Sequence, residues 1–339
     1  MDTVENQVPR SQLSLADSSV VLRTTGLSRS FGKVRAVESL DLSVRAGEIY
    51  GFLGSNGAGK TTTIRMLMGI IKPDAGSIEI LGRHARRVSI RQKQCIGYVA
   101  QEQTFYSWMS CRMLGRFVGG LFPSWDAVEF DRLLSVLDLP ADRKVSHLSH
   151  GMRVKLALAL ALAPRPPLLI LDEPTAGLDP VARREFLDFI LHQARDHQRT
   201  TFFSSHLIDE VERVADHIGI IHRGRMRYEG RLDTLRACVR LVCLPTATST
   251  RLPAPPIDAL ADPSLPLQAP GDFPSPFAVF KLPPGFDVLR DEIRDGIRML
   301  VIHAPAAAWE GFSPDGAEVT RLPLEDIFIA LVGKGSPVA

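Results

Sequence analysis

Eight consecutive residues, Gly54-Ser55-Asn56-Gly57-Ala58-Gly59-Lys60-Thr61, carry the most explicit chemistry in the sequence, with the spacing GxxxxGK[ST]. Glycines at these intervals let successive backbone N–H groups turn toward one point, and a helix opening at Lys60 adds the partial positive charge of its N-terminus. Such a cradle takes a phosphate chain. The backbone from Gly54 to Thr62 wraps it, Lys60 reaches the β- and γ-phosphates, and the Thr61 hydroxyl faces a magnesium ion. The apolar run Ile49-Tyr50-Gly51-Phe52-Leu53 before the cradle and the helical run from Lys60 to Met68 after it supply the strand-loop-helix setting that the motif needs. The competing reading is a glycine-rich turn with a solvated lysine, and that setting weighs against it.

A metal-bound triphosphate also needs an acidic partner and a group to orient the attacking water. Pro167-Leu168-Leu169-Ile170-Leu171-Asp172-Glu173 offers both. Its apolar residues predict a strand buried on both faces, and its two carboxylates fall at the C-terminal edge, where ligands of open α/β sheets bind. Asp172 is the expected magnesium partner and Glu173 the group that polarises the nucleophilic water. A capping pair at a strand end is the alternative, and it loses ground once the cradle is considered beside it.

These groups must be held by an α/β framework. Ser19–Leu27, Glu38–Val44 and Glu48–Leu53 read as strands that alternate with helical segments. Between Gln101 and Ser149, Leu114, Phe117, Leu121 and Phe122, then Phe130, Leu133, Leu134 and Leu137, recur at helical spacing. Eleven of the residues from Pro245 to Pro284 are proline, a composition in which no continuous helix or central strand persists. Beyond it the sequence predicts a strand over 277–282, a helix over 288–297, a strand over 299–303 and a final helix over 324–332. With 339 residues, two domains are expected: an extension over 1–19, a first domain over 20–238 with a helical subdomain at about 104–165, and a mixed accessory domain over 239–339 containing the Pro-rich stretch 245–284.

Forty Lys and Arg against 38 Asp and Glu leave a formal charge of +2, so no strongly basic surface argues for nucleic acid. Four cysteines in no CxxC pair predict reduced thiols in a cytosolic chain. The longest apolar runs, Leu156 to Ala163 and Pro166 to Leu171, fall far short of the roughly 18 residues a membrane span needs. The polar first 19 residues lack the apolar segment of a secretion signal.

From about Val20 to Thr234 the sequence resembles the ATP-binding subunit of an ABC transporter, and the order of its motifs carries the resemblance. Phe31 stands where the family places an aromatic that stacks on adenine. Gln101, after Ile96-Gly97-Tyr98-Val99-Ala100, matches the glutamine loop. Leu148-Ser149-His150-Gly151-Met152 occupies the place of the LSGGQ signature, with Ser149 and Gly151 matching and His150 and Met152 departing from it. Ala176-Gly177-Leu178-Asp179 matches the loop that crosses to a partner, and His206 matches the switch histidine. His150 replaces a usual glycine, where its ring either clashes or adds a donor; a solvated surface residue is the bland alternative.

The resemblance implies a P-loop NTPase ABC cassette, with a mixed β core and a helical subdomain, plus a small α+β accessory domain. It implies a dimer, homotypic or heterotypic, that binds two ATP with Mg²⁺. One protomer would supply Phe31, the cradle residues, Gln101, Asp172, Glu173 and His206, and the other Ser149 and Gly151. Gln101 joins Thr61 and Asp172 around the magnesium. The expected partner is an integral-membrane permease, with Glu102 to Trp108 as its contact, and the expected place is the cytoplasmic face of the membrane, held peripherally. Leu121-Phe122-Pro123-Ser124-Trp125-Asp126 and Leu324-Glu325-Asp326-Ile327-Phe328 look most like ABC-2-type exporters. The rival readings are a soluble ABC ATPase without a transport role and a nucleotide-sensing regulatory subunit.

Overall fold

The computed structural model describes residues 20–85, 88–197, 199–245, 282–294, 296–314 and 316–333. The extension expected at 1–19, most of the Pro-rich stretch and the strand expected at 277–282, apart from Leu282, lie outside the described residues.

The chain begins with two long strands, β1 (Val20–Phe31) and β2 (Val34–Arg45), and then β3 (Ile49–Leu53) and α1 (Lys60–Leu67). Next come β4 (Ala75–Ile80), β5 (Arg83–Ala85), the single-turn α2 (Ile90–Lys93) and β6 (Ile96–Val99). Three helices follow: α3 (Cys111–Gly119), α4 (Ala127–Val136) and α5 (His150–Leu162). The α/β alternation resumes with β7 (Leu168–Asp172), α6 (Pro180–His197), β8 (Thr200–Ser205), α7 (Ile208–Val214), β9 (His217–His222) and β10 (Arg225–Arg231). The remainder is α8 (Leu232–Cys238), β11 (Val239–Pro245), β12 (Asp287–Arg294), β13 (Ile297–His303), β14 (Glu318–Arg321) and α9 (Leu324–Val332).

The central sheet has the order β10-β9-β3-β8-β7-β6, parallel throughout except for β10. Every residue of β3, β7 and β8 is buried, which is why these strands read as unbroken apolar runs and not as alternating ones. Their register decides the site. Val99 pairs with Leu171, Asp172 with Ser204 and Leu53 with Ser205, so four parallel strands end along one edge. A second, antiparallel sheet, β2-β1-β4-β5, lies over the first, and Leu22, Leu27, Val37 and Leu40 from it share a buried core with Phe52, Ile64 and Phe202.

Each of the three α-helices between β6 and β7 starts on a capping side chain that accepts from a backbone N–H three residues on: Ser110 from Met113, Asp126 from Glu129 and Ser149 from Met152. The apolar run that follows the signature reads in the sequence as a helix over Arg153 to Leu162. The structure corrects this: the helix opens at His150, because Ser149 has the extended backbone and the accepting hydroxyl of an N-cap, so the signature forms the cap and first turn.

The chain divides into two compact units, Met1–Leu232 and Asp233–Ala339. The sequence ends the first domain at 238. In the structure α8 joins the second unit, where the Cys238 carbonyl accepts from Ala304 N–H and Trp309 Nε1–H. That unit is an antiparallel sheet, β12-β13-β11-β14, with α9. The helix expected over 288–297 is instead strand β12. Arg294 pairs with Ile297 across a hairpin, and Gly296 holds φ +76°. The Asp295-Gly296 dipeptide is a hairpin signal that the 3.6-residue spacing of Val288, Leu289 and Ile293 masked.

Candidate functional site

The loop between β3 and α1 keeps the shape that its glycines allow. Gly59 has φ +113°, and a Cβ there would stand 2.5 Å from the Ala36 carbonyl oxygen, so no other residue fits. Gly59 has no side chain to cap α1, which leaves first-turn N–H groups for an external acceptor. Asn56, Gly57, Gly59, Lys60, Thr61, Thr62, Gln101 and Glu173 line one cleft of about 280 Å³, with Ala36 from β2. A larger cleft of about 620 Å³, beside Ile49, Leu191 and Asp216, contains none of these groups.

Lys60 is buried, and its ammonium is fully engaged. It donates to the Gly54 carbonyl at 2.7 Å and the Ser55 carbonyl at 3.2 Å, and lies 3.0 Å from Glu173 Oε1. Glu173 Oε2 is 3.0 Å from His206 Nδ1, so one carboxylate spans the cradle lysine and the histidine after β8. Glu173 also holds φ +44°, a left-handed conformation that a non-glycine residue adopts at a cost on the order of 1–3 kcal/mol and that clusters at functional sites.

Asp172, the last residue of β7, accepts from Ser204 Oγ at 2.9 Å and Thr61 Oγ1 at 3.2 Å through the same oxygen. Burial raises its carboxyl above the ordinary range, against the pull of those two hydrogen bonds, and the neighbouring Glu173 charge adds to the rise. The same Ser204 hydroxyl accepts from Glu173 N–H at 3.0 Å. Buried hydroxyl and carboxylate oxygens beside an amide form a hard oxygen set with few protein ligands, which suits a magnesium ion that keeps water and phosphate oxygens in its shell. No cluster of three His, Cys, Asp or Glu exists among the described residues.

The structure thus brings together Lys60, Thr61, Asp172, Glu173, His206 and Gln101. Phe31, at the end of β1, is half exposed, and the Arg29 guanidinium lies over its ring at 4.9 Å. Ser149 and Gly151 are not among the cleft's lining residues; Ser149 caps α5, and Gly151 in its first turn faces Leu178. Two groups had no signal in the sequence. Ser204 ties Asp172 to the Glu173 backbone. Glu210, buried on α7, accepts from Thr175 Oγ1 and Ser205 Oγ, both at 2.6 Å, and so joins the segments that follow β7 and β8. Only the strand register sets these partners together.

Residues 37–176 match the ABC transporter family. The chain is 40% identical over 223 residues to the bacitracin transport ATP-binding protein BcrA of Bacillus licheniformis, covering 64% of this chain and 72% of that protein. It is 38% identical over 227 residues to the Nod factor export ATP-binding protein I of Rhizobium sp. (strain N33), covering 63% and 71%. Among solved structures, the ATP-binding subunit of an ABC transporter superposes with a TM-score of 0.58 at 28% identity, covering 64% of this chain and 92% of that one.

Proposed function

The chain belongs to the ABC transporter ATP-binding family, and on that premise we propose that it powers export through a separate membrane permease, closing as a dimer on two ATP. The observation that carries the reading is the meeting of Lys60, Thr61, Asp172, Glu173, His206 and Gln101 on one sheet edge. No helix among the described residues is long and apolar enough to cross a membrane. The permease would hold the chain peripherally at the cytoplasmic face. The relatives named for bacitracin transport and Nod factor export support an ABC-2-type exporter with a drug, antibiotic or similar cargo.

The reaction is in-line attack of water on the γ-phosphate, and the protein contributes mostly position and charge. The glycine loop and the first turn of α1 bind the phosphates through N–H groups. Gly54, Ser55 and Glu173 already occupy the three N–H groups of Lys60, so a bound phosphate displaces a partner; with Glu173 displaced, the freed carboxylate accepts a proton from the attacking water. His206, already 3.0 Å from Glu173, donates to the γ-phosphate. Thr61, Asp172 and Gln101 would hold magnesium, which neutralises phosphate charge when bound. Phe31 offers a ring face to adenine. Ser149 and Gly151, which stand outside their own cleft, would reach the nucleotide of the partner protomer.

A groove of about 480 Å³, lined by Tyr98, Glu102, Phe105, Val118, Phe122 and Leu160, lies between β6 and α5. Tyr106 and Trp108 are exposed close by in sequence, with Tyr106 edge-on to Phe117 at 5.6 Å. This groove is the proposed seat of the permease.

The test is magnesium-dependent phosphate release, with and without the detergent-solubilised permease. Wild type is expected to turn over ATP. Glu173→Gln is expected to bind ATP while releasing phosphate at least about 100-fold more slowly, the range of a lost general base. Normal turnover in that variant would remove Glu173 from its role, and no turnover in wild type under either condition would favour a nucleotide-sensing subunit.

A further inference from the structure

His150 stands where the sequence leaves a choice between a clash, a new donor and a solvated side chain, and its neighbours in the structure decide between them. The ring projects from the first residue of α5, and its Nε2 lies 2.9 Å from the Ala176 carbonyl oxygen, 26 residues away in sequence. A carbonyl only accepts, so Nε2 carries the proton; the neutral Nε2–H tautomer and the imidazolium both satisfy this. The ring also lies against Gly177. A Cβ there would come 3.2 Å from Nε2 and 3.4 Å from Cδ2, and Gly177 has φ +76°. The next residue, Gly151, faces Leu178, which is buried.

The peptide that His150 grips is itself tied to the candidate base. Ala176 N–H donates to the Glu173 carbonyl at 3.1 Å, and Leu178 N–H to the Thr175 carbonyl at 3.1 Å. Asp179 then caps α6 by accepting from Val181 and Ala182 N–H, both at 3.0 Å. One short path, from His150 to the Ala176 peptide to Glu173, therefore links the start of the signature helix to the residue held at φ +44°.

We propose that His150 is a positioning residue, whose Nε2–H clamps the Ala176-Gly177 turn to the signature helix so that the turn holds the Glu173 backbone in register for hydrolysis. It touches no reacting atom and acts through the turn. The clamp rests on the ATP-hydrolysis reading for its consequence and on geometry alone for its existence. A glycine at 150 could not make it, so the departure from the signature supplies a contact in place of a defect.

The experiment compares wild type with His150→Leu, which keeps bulk and loses the donor, and His150→Gln, whose amide N–H reaches the position of Nε2. Steady-state ATP hydrolysis is measured with hydrogen exchange over 173–179. His150→Leu is expected to lower kcat about tenfold, the size one lost hydrogen bond can carry, with KM for ATP changed less than about twofold and faster exchange at Ala176. His150→Gln is expected to restore both. A leucine variant with wild-type kcat and exchange, or a glutamine variant no better than leucine, overturns the proposal. If wild type itself shows no turnover, the hydrolysis reading fails, and unchanged exchange in the leucine variant then overturns the clamp on its own.

Discussion

Asp172 carries a cost at rest that its proposed place beside magnesium would require. Burial raises its carboxyl, so the folded state holds the proton more tightly than the unfolded chain does. Stability therefore falls as pH rises through the window between the ordinary aspartate value and the raised one, and at neutral pH the full penalty is present. Asp172→Asn keeps an oxygen for Ser204 and Thr61 and removes the charge. Without nucleotide it is expected to melt above wild type at pH 7, with the gap closing as pH falls below the carboxylate range, and to lose magnesium-dependent phosphate release. Calorimetry across pH reads the first effect; a variant that melts below wild type at neutral pH would contradict the assignment. Lys60 and Glu173 make the companion pair, and neither is left without a counter-charge in the cleft.

At the scale of elements, the cradle works because α1 starts hard against β2. Gly59→Ala would force a Cβ onto the Ala36 carbonyl and hold alanine at φ +113°. The conformation alone costs on the order of 1–3 kcal/mol, and the backbone contact adds to it. A lower urea midpoint together with lost ATP binding is the expected result. This element was legible in the sequence because all its parts are contiguous, from the apolar β3 to the threonines of α1. The carboxylates at the end of β7 were legible for a similar reason, a buried strand running into charge. The partners Ser204 and Glu210 were not, since register between β7, β8 and α7 brings them in from 31 to 35 residues away. The clamp of His150 on Ala176 was hidden in the same way. The hairpin of β12 and β13 was lost to a competing period: Val288, Leu289 and Ile293 satisfy a helical pattern, and the glycine that turns the chain lies beyond them.

The molecule as a whole divides unevenly in what it discloses. Its first unit holds the cleft and the groove. The second unit has a core of its own, in which Val242, Leu300 and Ile302 pack with the ring cluster of Phe286, Trp309 and Phe312. Within the first unit, Ser149 and Gly151 lie outside the cleft that holds Lys60 and Glu173. A complete site on the proposed reading therefore takes two chains, and nucleotide should control their association. The most direct measurement is the molecular mass of the Glu173→Gln variant by light scattering, in ATP and in ADP. The expected mass is that of two chains in ATP and of one in ADP, with Ser149→Ala in the same background weakening the ATP-dependent dimer. A mass of one chain in saturating ATP, with ATP bound, would contradict it.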